Sequence, residues 1–243
     1  MTTVRAPQGY RERPSSVGDA VIWCRDGISD ADPPVLPDGC MDLLWIDGRL
    51  SVAGPDTRAY RPEPGFADRI AGVRFSPGAA PALLGVPARE LRNARADLAD
   101  LWSPADLRTA SGLIARASSP AVGLEAIARW CAGRTDAIDP VVRFLVASLR
   151  SGSSVAAIAD ELETGPRRLH RISLAAFGYG PKTLGRVLRM QRALALARGG
   201  MGLADVAVAS GYADQAHLTR DVREFSGMSP MKLLGAELEP LSF

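Results

Sequence analysis

The stretch "LADVAVASGYADQAHLTRDVREFSGMSP" (203–230) decides how the rest of the chain is read. Its inner segment "AHLTR" (216–220) holds one of only two histidines in the protein, and the other lies in "RRLHR" (167–171). Both segments contain a leucine, one residue, then an arginine. Leu169 and Leu218 stand 49 residues apart, as do Arg171 and Arg220. The echo continues downstream, where "FGYGP" (177–181) pairs with "SGMSP" (226–230) through Gly178 with Gly227 and Pro181 with Pro230. Upstream, "IAD" (158–160) pairs with "VAV" (206–208) at a separation of 48, so the second copy has one residue more in its turn. Each copy reads as a short helix, a turn, a second helix and then Gly-x-x-Pro, the layout of a helix-turn-helix. Leu169 and Leu218 should face the core. The polar residues around them are then free to enter a major groove, which is wide enough for a helix.

Between the copies runs "PKTLGRVLRMQRALALARG" (181–199), with Leu184, Val187, Leu188, Leu194 and Ala195 at helical spacing. Such a helix is roughly 28 Å long at 1.5 Å per residue. It could hold two recognition helices about 34 Å apart, one turn of B-DNA. Charge follows the same division. Residues 1–135 hold 16 basic and 16 acidic residues, whereas 164–204 holds eight basic residues and no acid. On a protein of net charge +2, a one-sign stretch of that length is a footprint for a polyanion or a solvated helix face.

The remainder is an ordinary globular composition, 47% hydrophobic and 23% charged. No run of eighteen apolar residues predicts a membrane helix, and the start "MTTVRAPQGYRERPSS" lacks the apolar centre of a signal peptide, so a cytoplasmic protein is expected. Three cysteines (Cys24, Cys40, Cys131) without CxxC spacing fit a reducing compartment. In the first half, "AVIWC" (20–24), "MDLLWI" (41–46), "LSVAG" (50–54) and "RIAGVRFS" (69–76) read as short strands. Asp47-Gly48 marks a hairpin between the second and third of these. Helices are expected at 76–85, 103–117 and 124–133, the first two opened by Ser-Pro. From Asp139-Pro140 onward every segment reads as helix. The expected fold class is α+β. A β-rich, cupin-like barrel or sandwich with covering helices precedes an all-α domain of two helix-turn-helix units joined by a long helix. The expected divisions are 1–102, a helical linker or dimerisation segment at 103–135, and 136–243, with the joint near "GRTDAID" (133–139).

Residues 138–235, with their apolar-Ala pair, Gly-aromatic, Leu-x-Arg and Gly-x-x-Pro, resemble the DNA-binding domain of the AraC family of bacterial transcriptional regulators. The segments 36–60 and 72–93 resemble the amino-terminal domain, of uncharacterised function, found in an actinobacterial subgroup of that family. The resemblance implies DNA contacts from Arg167, His170 and Arg171 in the first copy and from Gln215, Ala216, Thr219 and Arg220 in the second. Arginine pairs with guanine O6 and N7, and glutamine with adenine. Arg168, Lys182 and His217 read as phosphate contacts or solvated side chains. The first copy has Ser173 where the family has Phe, with Phe177 as its replacement, and Asp221-Val222-Arg223 replaces the usual Phe-Lys-Lys.

With both histidines in recognition helices, residues 1–135 contain none, which removes histidine acid–base chemistry and the commonest metal ligand from that half. No metal or cofactor is expected, and no enzyme activity. A cysteine-dependent enzyme fused to a DNA-binding domain is the distant alternative, and Cys40 has no cation beside it in sequence to activate it. "GPDTR" (54–58) reads as a turn. Trp23, Trp45, Tyr60, Arg74 and Phe75 sit on or beside strands and either line a small-molecule effector pocket or fill the core. The expected partners are double-stranded DNA in two successive major grooves, a small-molecule effector, RNA polymerase and a second copy forming a homodimer, with no membrane. In the alternative regulator, the first half serves only dimerisation or protein contact.

Overall fold

The computed structural model describes residues 9–18, 20–26, 32–63, 67, 69–135 and 138–238. The segment 1–8 and residues 136–137 of the expected joint lie outside these. Strands β1 (Tyr10–Pro14), β2 (Ala20–Asp26), β3 (Met41–Ile46), β4 (Arg49–Ala53), β5 (Arg69–Phe75) and β6 (Arg95–Asp97) form one antiparallel sheet in the order β1-β2-β5-β3-β4-β6. β3 and β4 join through Asp47 and Gly48, both at positive φ (46° and 86°). That is the twist a two-residue hairpin requires.

Side chains alternate across the sheet with period two. One face carries Ile22, Leu43, Val52, Val73 and Phe75, all buried. Helices α1 (Ala80–Leu84), α2 (Leu98–Leu101), α3 (Pro104–Arg116) and α4 (Pro120–Ala132) cover it with Leu84, Leu98, Ala110, Leu124 and Ile127. Leu107, Leu113 and Ile114 of α3 also turn inward onto this core, so the apolar stripe that suggested a dimerisation surface is used to cover the sheet. α1 starts later than the Ser-Pro signal implies. Gly78 stands at φ 84° and Ser76 accepts a turn bond from the Ala79 amide, which delays the helix to Ala80. The opposite face carries Trp23, Leu44, Ile46, Ala53 and Ile70 in a smaller cluster.

The second half contains α5 (Pro140–Arg150), α6 (Val155–Glu161), α7 (Pro166–Phe177), α8 (Pro181–Arg198), α9 (Leu203–Ala209), α10 (Gln215–Ser226) and α11 (Pro230–Leu238). Asp139, Ser154 and Asp214 cap α5, α6 and α10 by accepting amide bonds from Val141, Ala157 and His217. Each satisfies a donor that the first helical turn leaves unpaired. The two α-helical pairs, α6–α7 and α9–α10, are the two copies of the repeat. Leu184 and Leu188 of α8 enter one core with Leu145, Ile158 and Leu169. Val187, Met190 and Leu194 enter the other with Val206, Leu218 and Phe225. Among the described residues no helix is long and apolar enough to cross a membrane.

The sheet and its cover are also tied by charge. Glu125 on α4 accepts bonds from Arg13 Nη2 (2.6 Å), the Ser16 amide (2.6 Å) and Ser15 Oγ (3.2 Å), pinning the β1–β2 turn. The Arg13 hydrogen bond is the largest cause that lowers its carboxyl to about 2 from 4.5. Because the folded-state value is the lower one, this stabilisation is complete above pH 4.5 and is lost as pH falls toward 2. Glu125→Gln should therefore flatten the fall in stability between those values, as measured by urea unfolding at stepped pH. An unchanged acid slope would assign it to other carboxylates.

Candidate nucleic-acid interface and the adjoining cavity

α7 and α10 are the second helices of the two units. Each is 12 residues long, each buries its leucine (Leu169, Leu218), and each ends at a glycine in the left-handed region, Gly178 and Gly227. On α7, Arg167, Arg168, His170 and Arg171 are all exposed around Leu169. On α10, Gln215, Ala216 and Arg220 are exposed, while His217 and Thr219 are half-buried. The histidines are packed on their own units. His170 lies against Gly180 at the start of α8, and His217 meets Tyr212 edge-on at 5.1 Å and 89°. Ser173 is fully buried, and Phe177, one turn further on, is buried in the same unit's core.

The basic stretch divides into two populations. Arg186 and Arg189 on α8 turn to α10. Arg186 bonds Asp221 (2.7 Å) and Glu224 (2.5 Å), and Arg189 lies 3.5 Å from the same Asp221. These hydrogen bonds to Glu224 and Asp221 hold the Arg186 guanidinium firmly protonated. Asp221, at the position where the sequence departs from the resembled pattern, is thus a buried anchor between α8 and α10. Nothing in sequence spacing signals a partner 35 residues away. Among the described residues Arg167, Arg168, Arg171, Lys182 and Arg220 have no acidic partner. Lys182 and His217 line a groove of about 910 Å³ between the units, together with Arg150, Arg186, Arg189 and Arg192.

Behind this interface lies a second cavity of about 390 Å³, between the open face of the sheet and α8. Trp23, Tyr60 and Arg74 line it, as do Asp42, Arg95 and, from α8, Gln191 and Arg198. Trp45 and Phe75, the other two expected lining residues, face the helix-covered core instead. The reason is strand parity: Arg74 and Phe75 are neighbours in β5 and must point to opposite faces. Trp23 lies directly over Gly72, where a Cβ would come within 2.4 Å of the indole. Its Nε1 donates to Asp42 Oδ1 at 2.7 Å, and Tyr10 stacks on it with centroids 6.0 Å apart. Arg74 Nε stands 3.3 Å from Asp42 and 3.6 Å from Asp38. Burial raises the Asp42 carboxyl, and the Arg74 charge opposes this. Burial likewise raises the thiols of Cys24, Cys40 and Cys131, the last to about 11, which disfavours the thiolate that cysteine chemistry needs.

Two glycine-capped helices, each anchored by a buried leucine beside one long linking helix, define a double helix-turn-helix protein. Residues 158–236 match a helix-turn-helix domain family and residues 20–97 match a domain of unknown function (DUF6597). The chain thus carries a helix-turn-helix domain in its second half, preceded by that domain of unknown function. It is 44% identical over 78 residues to the HTH-type transcriptional regulator VirS of Mycobacterium tuberculosis, a match covering 32% of this chain and 23% of that one. Among solved structures, ToxT from Vibrio cholerae shares its fold at 12% identity and a TM-score of 0.50, over 95% of this chain and 100% of that one. Another ToxT structure, described as bound to an unsaturated fatty acid, is 14% identical with a TM-score of 0.44 and covers 88% of this chain and 94% of that one.

The Asp221 anchor gives a direct test. Asp221→Ala leaves Arg186 and Arg189 without their shared partner and should cost roughly 3 kcal/mol, measured by urea unfolding. A loss under about 0.5 kcal/mol would mean that the apolar core alone places α10.

Proposed function

We propose that the protein is a sequence-specific DNA-binding transcriptional regulator acting in the cytoplasm, and that it reads two successive major grooves with α7 and α10. The observation that carries this reading is the pair of exposed helix faces whose arginines lack protein partners, joined through a single helix buried in both units. In this reading Arg171 and Arg220 pair with guanine edges, Gln215 pairs with adenine, and Ala216 touches a thymine methyl. Arg167, His170 and Thr219 flank these contacts. Arg168, Lys182 and His217 hold phosphates, Lys182 and His217 from the rim of the groove between the units. RNA polymerase and a second copy of the chain are the expected protein partners of such a complex.

Arg220→Ala and Arg171→Ala should each weaken specific binding by about 1–3 kcal/mol and relax preference at one base pair. Lys182→Ala should weaken all sequences alike and lower the salt slope by about one. Gel-shift titrations over a salt series check both, and unchanged affinity for Arg220→Ala would remove that residue from the interface.

The cavity of about 390 Å³ is the place proposed for a small-molecule effector. Its size falls within the usual range for ligand sites, and its walls combine aromatic faces with a few fixed charges. A metabolite bound there should raise the unfolding temperature of the wild-type chain and leave Ser51→Trp, which fills the cavity, unmoved. A compound that stabilises both equally binds elsewhere.

A further inference from the structure

The sequence "GPDTRAY" (54–60), which reads as a simple turn, touches the carboxy-terminal ends of both recognition helices. Pro55 packs on Gly178, the residue that ends α7. A Cβ there would stand 2.9 Å from Pro55 Cγ and 3.0 Å from the Ala88 carbonyl, and the backbone is left-handed at φ 75°. Four residues further on, the Ala59 amide donates to the Phe225 carbonyl in the last turn of α10 at 2.6 Å. That carbonyl is among those a helix end leaves without an intrahelical donor. One short segment of the first half therefore packs on the end of one helix and caps the end of another, and the two helices lie in separate cores.

The same segment is fastened to the sheet between those two contacts. Arg95 on β6 grips Asp56 with two bonds of 3.0 and 2.6 Å. The Asn93 amide donates to the Pro55 carbonyl, and its side-chain oxygen accepts from the Thr57 amide at 2.7 Å. Tyr60 exchanges backbone bonds with Val35 and lies under the Arg95 guanidinium at 4.1 Å. Asp56, Tyr60 and Arg95 all line the cavity behind the sheet.

We propose that residues 54–60 form a strap that fixes the separation of α7 and α10 and carries the state of the cavity to both. This rests on the reading of α7 and α10 as DNA-reading helices. α8 alone sets the distance between the units along its axis, while the strap holds their far ends. A ligand that competes for Arg95 or stacks on Tyr60 reaches both helices through it. The strap residues are positioning residues: none of them touches DNA in this account.

Two variants loosen the strap without touching either recognition helix. Asn93→Gly keeps the left-handed backbone at that position (φ 57°) and removes the exposed Thr57 bonds; Asp56→Asn weakens the Arg95 grip. Amide hydrogen exchange on the full chain without DNA is the first readout. Faster exchange in the last turns of both α7 and α10, in either variant, supports the strap. Faster exchange confined to 54–60 overturns it. The second readout uses duplexes selected by the wild-type chain from a random library, and the same duplexes with one base pair inserted between the half-sites. Wild type should discriminate against the insertion by roughly tenfold or more and the variants by no more than about twofold, with half-site affinity unchanged. Equal discrimination in all three proteins overturns the strap. If the wild-type chain selects no duplex, the DNA reading fails, while the exchange result still decides the strap.

Discussion

Helix α8 gives Leu184 and Leu188 to one core and Val187, Met190 and Leu194 to the next, so two packed units share one rigid element. Eighteen helical residues are about 27 Å long, and close packing on both sides forbids the units to slide along it. The rest follows from this sharing. On the side of α8 facing α10, the Asp221 anchor to Arg186 and Arg189 is added to the apolar contact. The exposed arginines of α7 and α10 then keep a fixed relation to one another, which a sequence-reading surface needs.

α8 is also the wall between the helical half and the sheet. Its Gln191 donates to the Pro37 carbonyl at 2.6 Å, and Leu36 packs into the second core. The segment around Asp38 and Cys40 consequently touches both the groove between the units and the cavity behind the sheet. Three arginines on the cavity walls are paired within the protein: Arg74 with Asp42 and Asp38, Arg95 with Asp56, and Arg25 with Asp32. A site of this kind favours flat, mostly apolar molecules with a few polar groups over highly charged ones.

Much of this was legible in the sequence, for physical reasons. The 49-residue echo marks two copies because each copy needs the same buried leucine and the same left-handed glycine at its helix end. Strands β2 to β5 announced themselves by β-branched and aromatic runs. β1 and β6 did not, because "YRERP" and "RAD" are short, polar edge strands held by pairing rather than by burial. Parity within β5 would have separated Arg74 from Phe75, since adjacent strand residues cannot share a face. The Asp221 anchor and the contacts of residues 54–60 leave no local trace, because each joins residues far apart in the chain that only the folded structure brings together.

The central claim is that one chain presents two reading helices to one face of DNA. Hydroxyl-radical footprinting of a one-to-one complex on a selected duplex tests it most directly. The account predicts two protected patches on the same face, about 10 base pairs apart. A single patch covering one half-site would contradict it.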